Sequence, residues 1–303
     1  MWFKNLRIWQ LDAPWDISAE ALSAALSANA FRPCAPGQLE TIGWEAPVEA
    51  IEDQLVREVS GRQLLRARVQ ERVLPGAAVN EVLAERMQEI EAREGTSVRG
   101  ARRRELADEV RASLVPRALL KSARQWLVVD RDAGLVMVDS AIANRGEALL
   151  SLLRGSLGSL ALRPLAFAHP IDGVLTGWLR HRTLPTGLAL GEWCDLEHPQ
   201  DTRNKVRFRG QPLDEDEVMA TLDRGLRVTA LEVLWDTDAG EPLRCVLCED
   251  GAIRRLHLPD DDPDALGDES PEARIDADLA LLGLTLTRFF ETLFPAFGGR
   301  AVD

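Results

Sequence analysis

The fold of this chain is decided in residues 111–165, whose sequence is RASLVPRALLKSARQWLVVDRDAGLVMVDSAIANRGEALLSLLRGSLGSLALRPL. Two apolar runs, Trp126–Val129 and Leu135–Val138, flank the segment Asp130–Gly134, which is rich in turn-forming residues. β-Branched runs separated by Asp and Gly are typical of a β-hairpin. We therefore predict that this hairpin belongs to the core scaffold and that the basic segment before it is the working surface of the protein.

The basic segment carries Arg117, Lys121 and Arg124, and it follows directly after Pro116. A proline disfavours helix in the residue before it, so the chain changes element at this point. Long cationic side chains at an element boundary can keep their charged ends in water. The segment is therefore expected to present its charges to a partner or to solvent.

Outside the central stretch, strands and helices follow one another without regular βαβ alternation. Apolar alternation and β-branched runs predict strands at 2–11, 63–74, 160–167, 187–193, 205–208, 228–235, 243–248 and 253–258. Helical spacing predicts helices behind the N-cap candidates Ser18 and Asn144, and at 79–90, 106–114, 171–182, 214–222 and 273–294. This order favours the α+β class, with mixed or antiparallel sheets.

The helical segments 79–90 and 106–114 are separated by the helix-breaking sequence Gly95-Thr96-Ser97. Two helices with a short polar connection form a helical hairpin. Few of their positions are apolar, so the hairpin is predicted to project from the body as an arm. The predicted organisation is a central α+β domain of residues 1–75 plus 115–168, a helical-hairpin arm of 76–114, and an α+β base domain of 169–303.

The segment 63–74, predicted as one strand or two short ones, carries three arginines of equal parity, Arg66, Arg68 and Arg72. In an unbroken strand, residues of one parity project from one face of the sheet. A face lined by arginines suits binding to phosphate groups. It equally suits an ordinary solvent-exposed sheet face, and the sequence leaves both interpretations open.

The charge of the chain is distributed unevenly. The 303 residues carry a formal net charge of −13, yet residues 57–124 hold 15 Lys and Arg against 10 Asp and Glu. A net acidic protein is at first sight a poor partner for nucleic acid. The local excess of 5 positive charges leaves −18 on the remainder, which fits a basic face on an acidic body or a solvated helical arm.

Four cysteines in 303 residues do not form a disulfide framework, so reduced thiols are expected. No uninterrupted apolar run reaches the roughly 18 residues that a membrane span needs. The first residues, MWFKNLRIWQ, lack the apolar core of a signal peptide. The sequence therefore predicts a cytoplasmic protein without a membrane partner.

No pattern of residues nominates catalytic or metal chemistry. Cys245 and Cys248 form the single CxxC, and residues three apart on a strand point to opposite faces, which disfavours chelation. The acidic run 260–269 is predicted to be a solvated linker, since it lacks the register of a calcium loop. HExxH, G-x-S-x-G and G-x-G-x-x-G are absent from the sequence. We expect neither an enzyme nor a cofactor.

Several blocks of the sequence occur in a recognisable order: MWFKNLRIWQL, LVPRAL, GLVMVDSA, LLRGSLGSL with RPL, CEDGAIRRL and RIDADLALL. In this order and spacing the chain resembles the family of the recombination-associated protein RdgC, over nearly its whole length. The resemblance implies a homodimer closed into a ring, whose positively charged hole encircles double-stranded DNA. It also implies a nucleoid-associated protein without a cofactor that antagonises RecA-driven strand exchange. It leaves open whether single-stranded DNA is bound.

The resemblance and the local pattern together define the candidate site residues. The DNA-binding candidates are Arg66, Arg68, Arg72, Arg117, Lys121, Arg124, Arg207 and Arg209. The resemblance places Leu119 and Gln211 at contacts between subunits. This chain departs from a relative at two such places, because Leu119 replaces an aromatic residue and Gly210 replaces a lysine. Those departures concern ring closure and leave the basic interior unchanged.

Two functions from other classes remain as alternatives. The first is an enzyme that processes DNA, with Asp130, Asp132 and Asp139 holding Mg²⁺, although turn formation explains Asp130 and Asp132 more simply. The second is a protein-interaction scaffold whose acidic surface binds a basic partner. The leading hypothesis is a DNA-binding dimer without catalytic activity.

Overall fold

The structure is a computed structural model, and it describes residues 3–49, 51, 53–237, 240–259 and 270–301. The acidic run predicted as a linker lies outside the described residues. The described strands are β1 Arg7–Leu11, β2 Glu40–Glu45, β3 Val56–Val59, β4 Arg62–Val73, β5 Leu119–Asp130, β6 Leu135–Val138, β7 Leu162–Pro164, β8 Leu188–His198, β9 Asp201–Arg209, β10 Arg227–Trp235, β11 Leu243–Cys248 and β12 Ile253–His257. The described helices are α1 Ala19–Ser27, α2 Gly76–Glu94, α3 Gly100–Leu114, α4 Ala143–Leu157, α5 Ile171–His181, α6 Asp216–Asp223 and α7 Pro271–Ala296.

The first sheet is built around the predicted central hairpin. Its strand order is β2-β4-β5-β6-β1-β7, and β3 also pairs with β4. β5 and β6 form the predicted hairpin, with Val129 opposite Val136. β4 and β5 pair antiparallel over twelve residues each, from Arg62 opposite Asp130 to Val73 opposite Leu119. The predicted α+β class with antiparallel sheets is therefore confirmed.

The second sheet has the order β12-β11-β10-β8-β9 and is antiparallel throughout. One of its faces packs on α5, α6 and α7 in a large apolar core. The other face has only a small cluster in which Trp193 packs against Ala230, Val246, Cys248 and Ala252. We call this second face the open face, because none of the helices that cover the core face contributes to its cluster.

Helix α7 links the two sheets. Phe289 of α7 belongs to a core cluster that contains Ile8 and Val128 of the first sheet and Leu231 of the second. The opposite face of the first sheet is covered by α1 and α4. One core thus joins side chains from the predicted central and base domains, and the proposed domain boundaries stay a prediction.

By length and composition α7 could also cross a membrane, although the sequence contains no uninterrupted apolar run of that length. Half of its most apolar 18-residue window is buried inside the protein. Core helices of soluble proteins commonly meet the same criterion, so this is weak evidence for a membrane span. The packing between the sheets explains the apolar character of α7.

Helices α2 and α3 form where the spacing predicted them, and they pack on each other. Their contact is a small cluster centred on Val79, Leu83 and Val110. The connection between them is closed by the Glu91 carboxylate, which accepts a hydrogen bond from the Val98 backbone N–H at 2.8 Å. The projection of this pair from the body stays a prediction.

The sequence-based prediction was wrong at β2 and at the start of α4. The sequence predicted no strand at residues 40–45, yet these residues form β2, because the neighbouring β4 offers a complete ladder of backbone partners. Asn144 was predicted to cap α4, but the cap residue is Ile142 and no side chain caps this helix. The cap predicted at Ser18 is confirmed, since its hydroxyl accepts the Ala21 N–H at 3.2 Å.

Candidate nucleic-acid interface

The predicted cationic side chains of β4 and β5 are brought together by an uninterrupted register. Arg66, Arg68 and Arg72 share the parity of Leu64, which packs into the core beneath α7. The same face of β5 carries Arg124, whose Cα lies directly opposite that of Arg68. Four predicted guanidinium groups therefore occupy one face of the long β4–β5 ribbon.

Arg66 lies deepest of the four. It is 6% exposed, and its guanidinium lies 5.2 Å from the centroid of the Trp126 ring. Its Nε lies 2.9 Å from the Glu45 carboxylate, and Glu49 lies farther off at 3.8 Å. Burial lowers the pKa of Arg66, although a guanidinium remains protonated in proteins. Arg66 is thus a charge inside the protein rather than at its surface.

Arg124 shares the two carboxylates of Arg66. Its Nε lies 2.8 Å from Glu45 and its Nη2 lies 2.9 Å from Glu49, while half of the side chain is exposed. The two arginines and two glutamates form one alternating ion network. Within this network the positive and negative charges are equal in number.

Arg68 has a different environment. Its Nη2 donates to the Ser122 hydroxyl at 3.1 Å, and its guanidinium lies 4.6 Å from the Phe31 ring centroid. Among the described residues, no carboxylate contacts it. The charge of Arg68 is therefore held in place without being neutralised.

The Arg72 guanidinium contacts backbone carbonyl groups rather than carboxylates. Its guanidinium donates to the carbonyl oxygens of Gln38 at 3.1 Å, Ala118 at 3.2 Å and Ala35 at 3.2 Å. Two loops are thereby joined to the end of β4. The guanidinium can stabilise this corner and still contribute its charge to the surface.

The two remaining candidates of the basic segment are more exposed. Arg117 is exposed in the 3-10 turn Val115–Arg117 that precedes β5. Lys121 has the opposite parity to Arg124, so it projects from the α4 side of the ribbon. Its ammonium lies 3.6 Å from Glu71, which is a loose and solvent-exposed ion pair. The basic segment therefore presents charge on both faces of the ribbon.

The residues predicted at subunit contacts are accessible. Leu119 is 80% exposed and Leu120 is 46% exposed, at the start of β5. Gln211 is half-buried in the bend after β9, next to Gly210, whose φ of +63° favours glycine. An exposed leucine pair on a strand end is a surface that a partner could cover.

Arg207 and Arg209 project from β9 on the open face of the second sheet. Arg207 lies opposite Asp195, and Arg209 lies opposite Trp193. The Arg209 guanidinium stacks 3.9 Å from the Trp193 ring centroid, pairs with the Asp195 carboxylate and donates to the Phe208 carbonyl at 2.7 Å. Arg207 is exposed, whereas Arg209 is firmly held.

The candidates predicted from the sequence do not include Arg255, which lies on the same face. Arg255 of β12 lies 4.2 Å from the Trp193 ring centroid, although three strand positions separate β12 from β8. Its backbone φ is +53°, which is unusual for a residue with a side chain. Arg255 lies in the block CEDGAIRRL quoted above. The alternation of side chains along a regular strand could not show toward which face this residue projects.

The groups considered for metal or redox chemistry are held apart. Asp130 accepts from Arg62 Nε at 2.8 Å at one end of β6, whereas Asp139 accepts the N–H groups of Lys4 and Asn5 at the other end. No group of three His, Cys, Asp or Glu residues suited to a metal ion occurs in the part of the chain that the structure describes.

The cysteine pair has the predicted geometry. Cys245 packs into the large core and Cys248 into the cluster of the open face, so the two thiols point to opposite faces of β11. Burial raises the pKa of Cys245, and it raises that of Cys248 to about 11. Both thiols are therefore in the unreactive protonated form at neutral pH.

Comparison with known proteins matches this chain along its whole length. A family model described as "Putative exonuclease, RdgC" matches residues 1–300. The recombination-associated protein RdgC of Yersinia pestis (strain Pestoides F) is 34% identical over 304 residues, covering 99% of this chain and 99% of the relative. That of Aeromonas hydrophila subsp. hydrophila is 33% identical over 302 residues, covering 99% and 98%. The chain therefore belongs to the RdgC family.

Proposed function

We propose that this protein binds DNA without sequence preference and without catalysis, as a homodimer that closes into a ring around the duplex. In this role it occupies DNA that RecA would otherwise use, and so antagonises strand exchange at the nucleoid in the cytoplasm. The observation that carries the proposal is the direct opposition of Arg68 and Arg124 across β4 and β5.

Like charges directly opposite each other on neighbouring strands are destabilising. Glu45 and Glu49 balance Arg66 and Arg124, which leaves Arg68 uncompensated on the same face. An array of phosphates along a duplex would supply the missing negative charge. The opposition of Arg68 and Arg124 costs free energy in a strand pair that is otherwise regular and fully paired. An anionic ligand on this face would offset that cost.

The proposal gives the predicted cations different tasks. Arg68, Arg117, Lys121 and Arg207 make direct phosphate contacts because none of them has a close ion pair. Arg68, Arg117 and Arg207 have no carboxylate partner among the described residues, and Lys121 has only the loose pair with Glu71. Arg66, Arg72, Arg124 and Arg209 hold the surface in shape through the contacts described above. Contacts of this type position DNA but carry no sequence information, and no candidate lies on a base-reading helix.

Ring closure requires two contacts between subunits. The exposed Leu119 and Leu120 would provide one of them, and the bend at Gln211 the other. The α2–α3 pair would project as the arm that reaches the partner. Because the chain carries a net charge of −13, the outer surface would repel DNA and favour the hole. We expect sedimentation to show a dimer of the 33.5 kDa chain without DNA, and a lasting monomer at micromolar concentration would contradict closure.

Salt dependence tests the proposed mode of binding. Each neutralised phosphate contributes about −0.9 to the slope of log K against log salt, so six contacts give roughly −5. We expect this slope for random duplexes and only small differences among their sequences. A flat slope, or strong preference for one duplex in a random pool, would contradict phosphate-based binding.

A nuclease remains the second candidate because the matching family description contains the word exonuclease. The test is incubation of supercoiled plasmid and end-labelled linear duplex with protein and Mg²⁺. Retarded but intact DNA supports the binder, whereas nicking or release of nucleotides supports the enzyme. Unchanged DNA mobility at low salt would instead favour the acidic protein-interaction scaffold.

A further inference from the structure

A β-bulge sets the direction of Arg255. In the pairing of β11 with β12, Arg244 lies opposite His257 and Val246 opposite Arg254. Two steps along β11 thus correspond to three along β12, which inserts one extra residue between Arg254 and His257. Arg255 lies in this insertion with a φ of +53°, a left-handed conformation that glycine adopts with least strain.

Apart from the stack on Trp193, no contact of the Arg255 guanidinium within the described residues explains the strained position. Among the described residues, its guanidinium has no carboxylate partner and no hydrogen-bond acceptor, and the side chain is exposed. Its backbone N–H reaches only the Asn5 side chain, at 3.4 Å. Backbone strain of this type clusters at functional sites, where it fixes a side chain in a working position.

Trp193 provides the support for this side chain. The indole packs on Ala230, Val246 and Cys248, and its Nε1 donates to Asp195 at 3.0 Å. The Arg255 guanidinium stacks against this fixed ring. A stacked guanidinium keeps the N–H groups on its edge free to bind an anion.

The neighbouring Arg209 shows the opposite arrangement on the same indole. Its N–H groups are used by Asp195 and by the carbonyl oxygens of Cys194 and Phe208. Of the two cations stacked on Trp193, Arg255 is therefore the one with donors available. The ring itself is covered by guanidinium groups, so it is poorly placed to stack on a nucleobase.

We propose that Arg255 is a preorganised contact for a backbone phosphate on the open face of the second sheet, and that Trp193 is its positioning residue. This inference rests on the proposed DNA-binding function and names the chemical group that the open face contacts. The bulge aims Arg255, the indole holds its plane, and the free edge of the guanidinium binds the phosphate in a bidentate manner.

The decisive variant is Arg255→Gly, which removes the cation and relieves the left-handed strain together. We expect its melting temperature to equal or exceed that of the wild type. Its DNA affinity should fall roughly tenfold near 0.1 M salt, and the magnitude of the salt slope should fall by about 0.9. The matched control is Arg224→Ala, which removes an exposed arginine at the end of α6, on the helix-covered side of the same sheet.

Two further variants separate charge from positioning. Arg255→Gln keeps the left-handed backbone strain and loses the charge, so it should show the same loss of slope even if the glycine variant folds poorly. Trp193→Leu keeps an apolar side chain over the small cluster of the open face. It leaves Arg255 charged but without the ring on which it stacks. We expect weaker DNA binding with an unchanged salt slope.

The outcomes distinguish this inference from the proposed function. Wild-type protein that shows no salt-dependent binding overturns the proposed function and this inference with it. Wild-type protein that binds DNA, beside Arg255→Gly and Arg255→Gln variants of equal affinity and slope, overturns this inference alone. So does a loss of affinity that Arg224→Ala reproduces.

Discussion

At the scale of single residues, Asp139 makes the stability of the protein depend on pH. Its carboxylate accepts the backbone N–H groups of Lys4 at 3.1 Å and Asn5 at 2.9 Å, yet burial raises its pKa above the ordinary 3.8. The folded state therefore binds its proton more tightly than the unfolded state. The stability contributed by protonation is present below pH 3.8 and is lost as pH rises through the raised pKa.

We predict that Asp139→Asn is neutral or stabilising at pH 7, because the amide oxygen can still accept both N–H groups without a buried charge. The difference in unfolding free energy between variant and wild type should shrink as pH falls toward 4. Urea unfolding at several pH values measures it. Asp132→Asn, at an exposed turn position, is the control. The prediction would be contradicted if Asp139→Asn, compared with the wild type, were less stable at pH 7 than at pH 4.

The basic segment carries a second prediction at this scale. Arg117→Glu and Lys121→Gln should each weaken binding to all duplexes alike and reduce the magnitude of the salt slope by about one. Glutamine is chosen at Lys121 because a glutamate there would face Glu71 across the strands. Gel shifts at matched ionic strength beside melting curves measure both effects. Unchanged affinity in either variant would remove that residue from the binding surface.

Residue types and strand parity were enough to predict that Arg66, Arg68 and Arg72 share a face. They were not enough to predict which of these charges is neutralised. The neutralising carboxylates, Glu45 and Glu49, come from a part of the chain where the sequence predicted neither a strand nor a helix. Ion pairs between distant segments depend on the fold, and local patterns carry no information about them.

At the scale of the elements, α7 is joined to the first sheet by charge as well as by apolar packing. Arg57 of β3 forms a bidentate pair with Asp276 of α7, with both N···O distances at 2.6 Å. Arg62 of β4 donates to Asp130 at 2.8 Å and to Thr287 of α7 at 2.9 Å. The helix is therefore held in one position along the sheet.

This arrangement predicts an unusual response to a glycine substitution. Gly283 of α7 has room for no β-carbon, since that atom would collide with the Arg62 side chain. Helix propensity alone would make Gly283→Ala stabilising by about 1 kcal/mol. The added β-carbon displaces Arg62 from its ion pair with the buried Asp130. We therefore expect Gly283→Ala to lower the free energy of unfolding by about 2 to 4 kcal/mol.

The matched control for this variant is Gly177→Ala in α5, where a β-carbon would meet nothing within 4 Å. It should be neutral or stabilising by up to about 1 kcal/mol, following propensity. Urea unfolding of both variants measures the difference. Equal stabilisation of the two would show that Arg62 moves aside without cost.

The elements whose apolar residues recur with a strong period were predicted from the sequence. The strands whose regularity depends on pairing with a neighbouring strand were not. The strands β10, β11 and β12 and the helix α7 are close to their predicted bounds. β5 begins at Leu119, well before the predicted Trp126, because its exposed first half gains regularity only by pairing with β4. β2 and β3 were missed for the same reason.

At the scale of the whole molecule, the proposed closure of the dimer into a ring predicts a topological effect. Protein assembled on closed circular DNA should survive a high-salt wash, because escape requires opening of an interface. On linear DNA of equal length the ring can leave from an end, so it should be lost in the same wash. Equal release from both substrates would show binding without encirclement, and blocking both ends of the linear DNA should restore retention.

The position of α7 between the sheets has a consequence for synthesis of the chain. β1 pairs with β6 more than a hundred residues away, Leu6 bridges to Ile253, and the core closes only when Phe289 and its neighbours pack. Contacts of such large sequence separation make folding slow. On the ribosome, the face of the first sheet that α7 covers stays exposed until α7 has been synthesised. The nascent protein thus depends on α7 for protection from aggregation, and truncation before α7 should yield insoluble product.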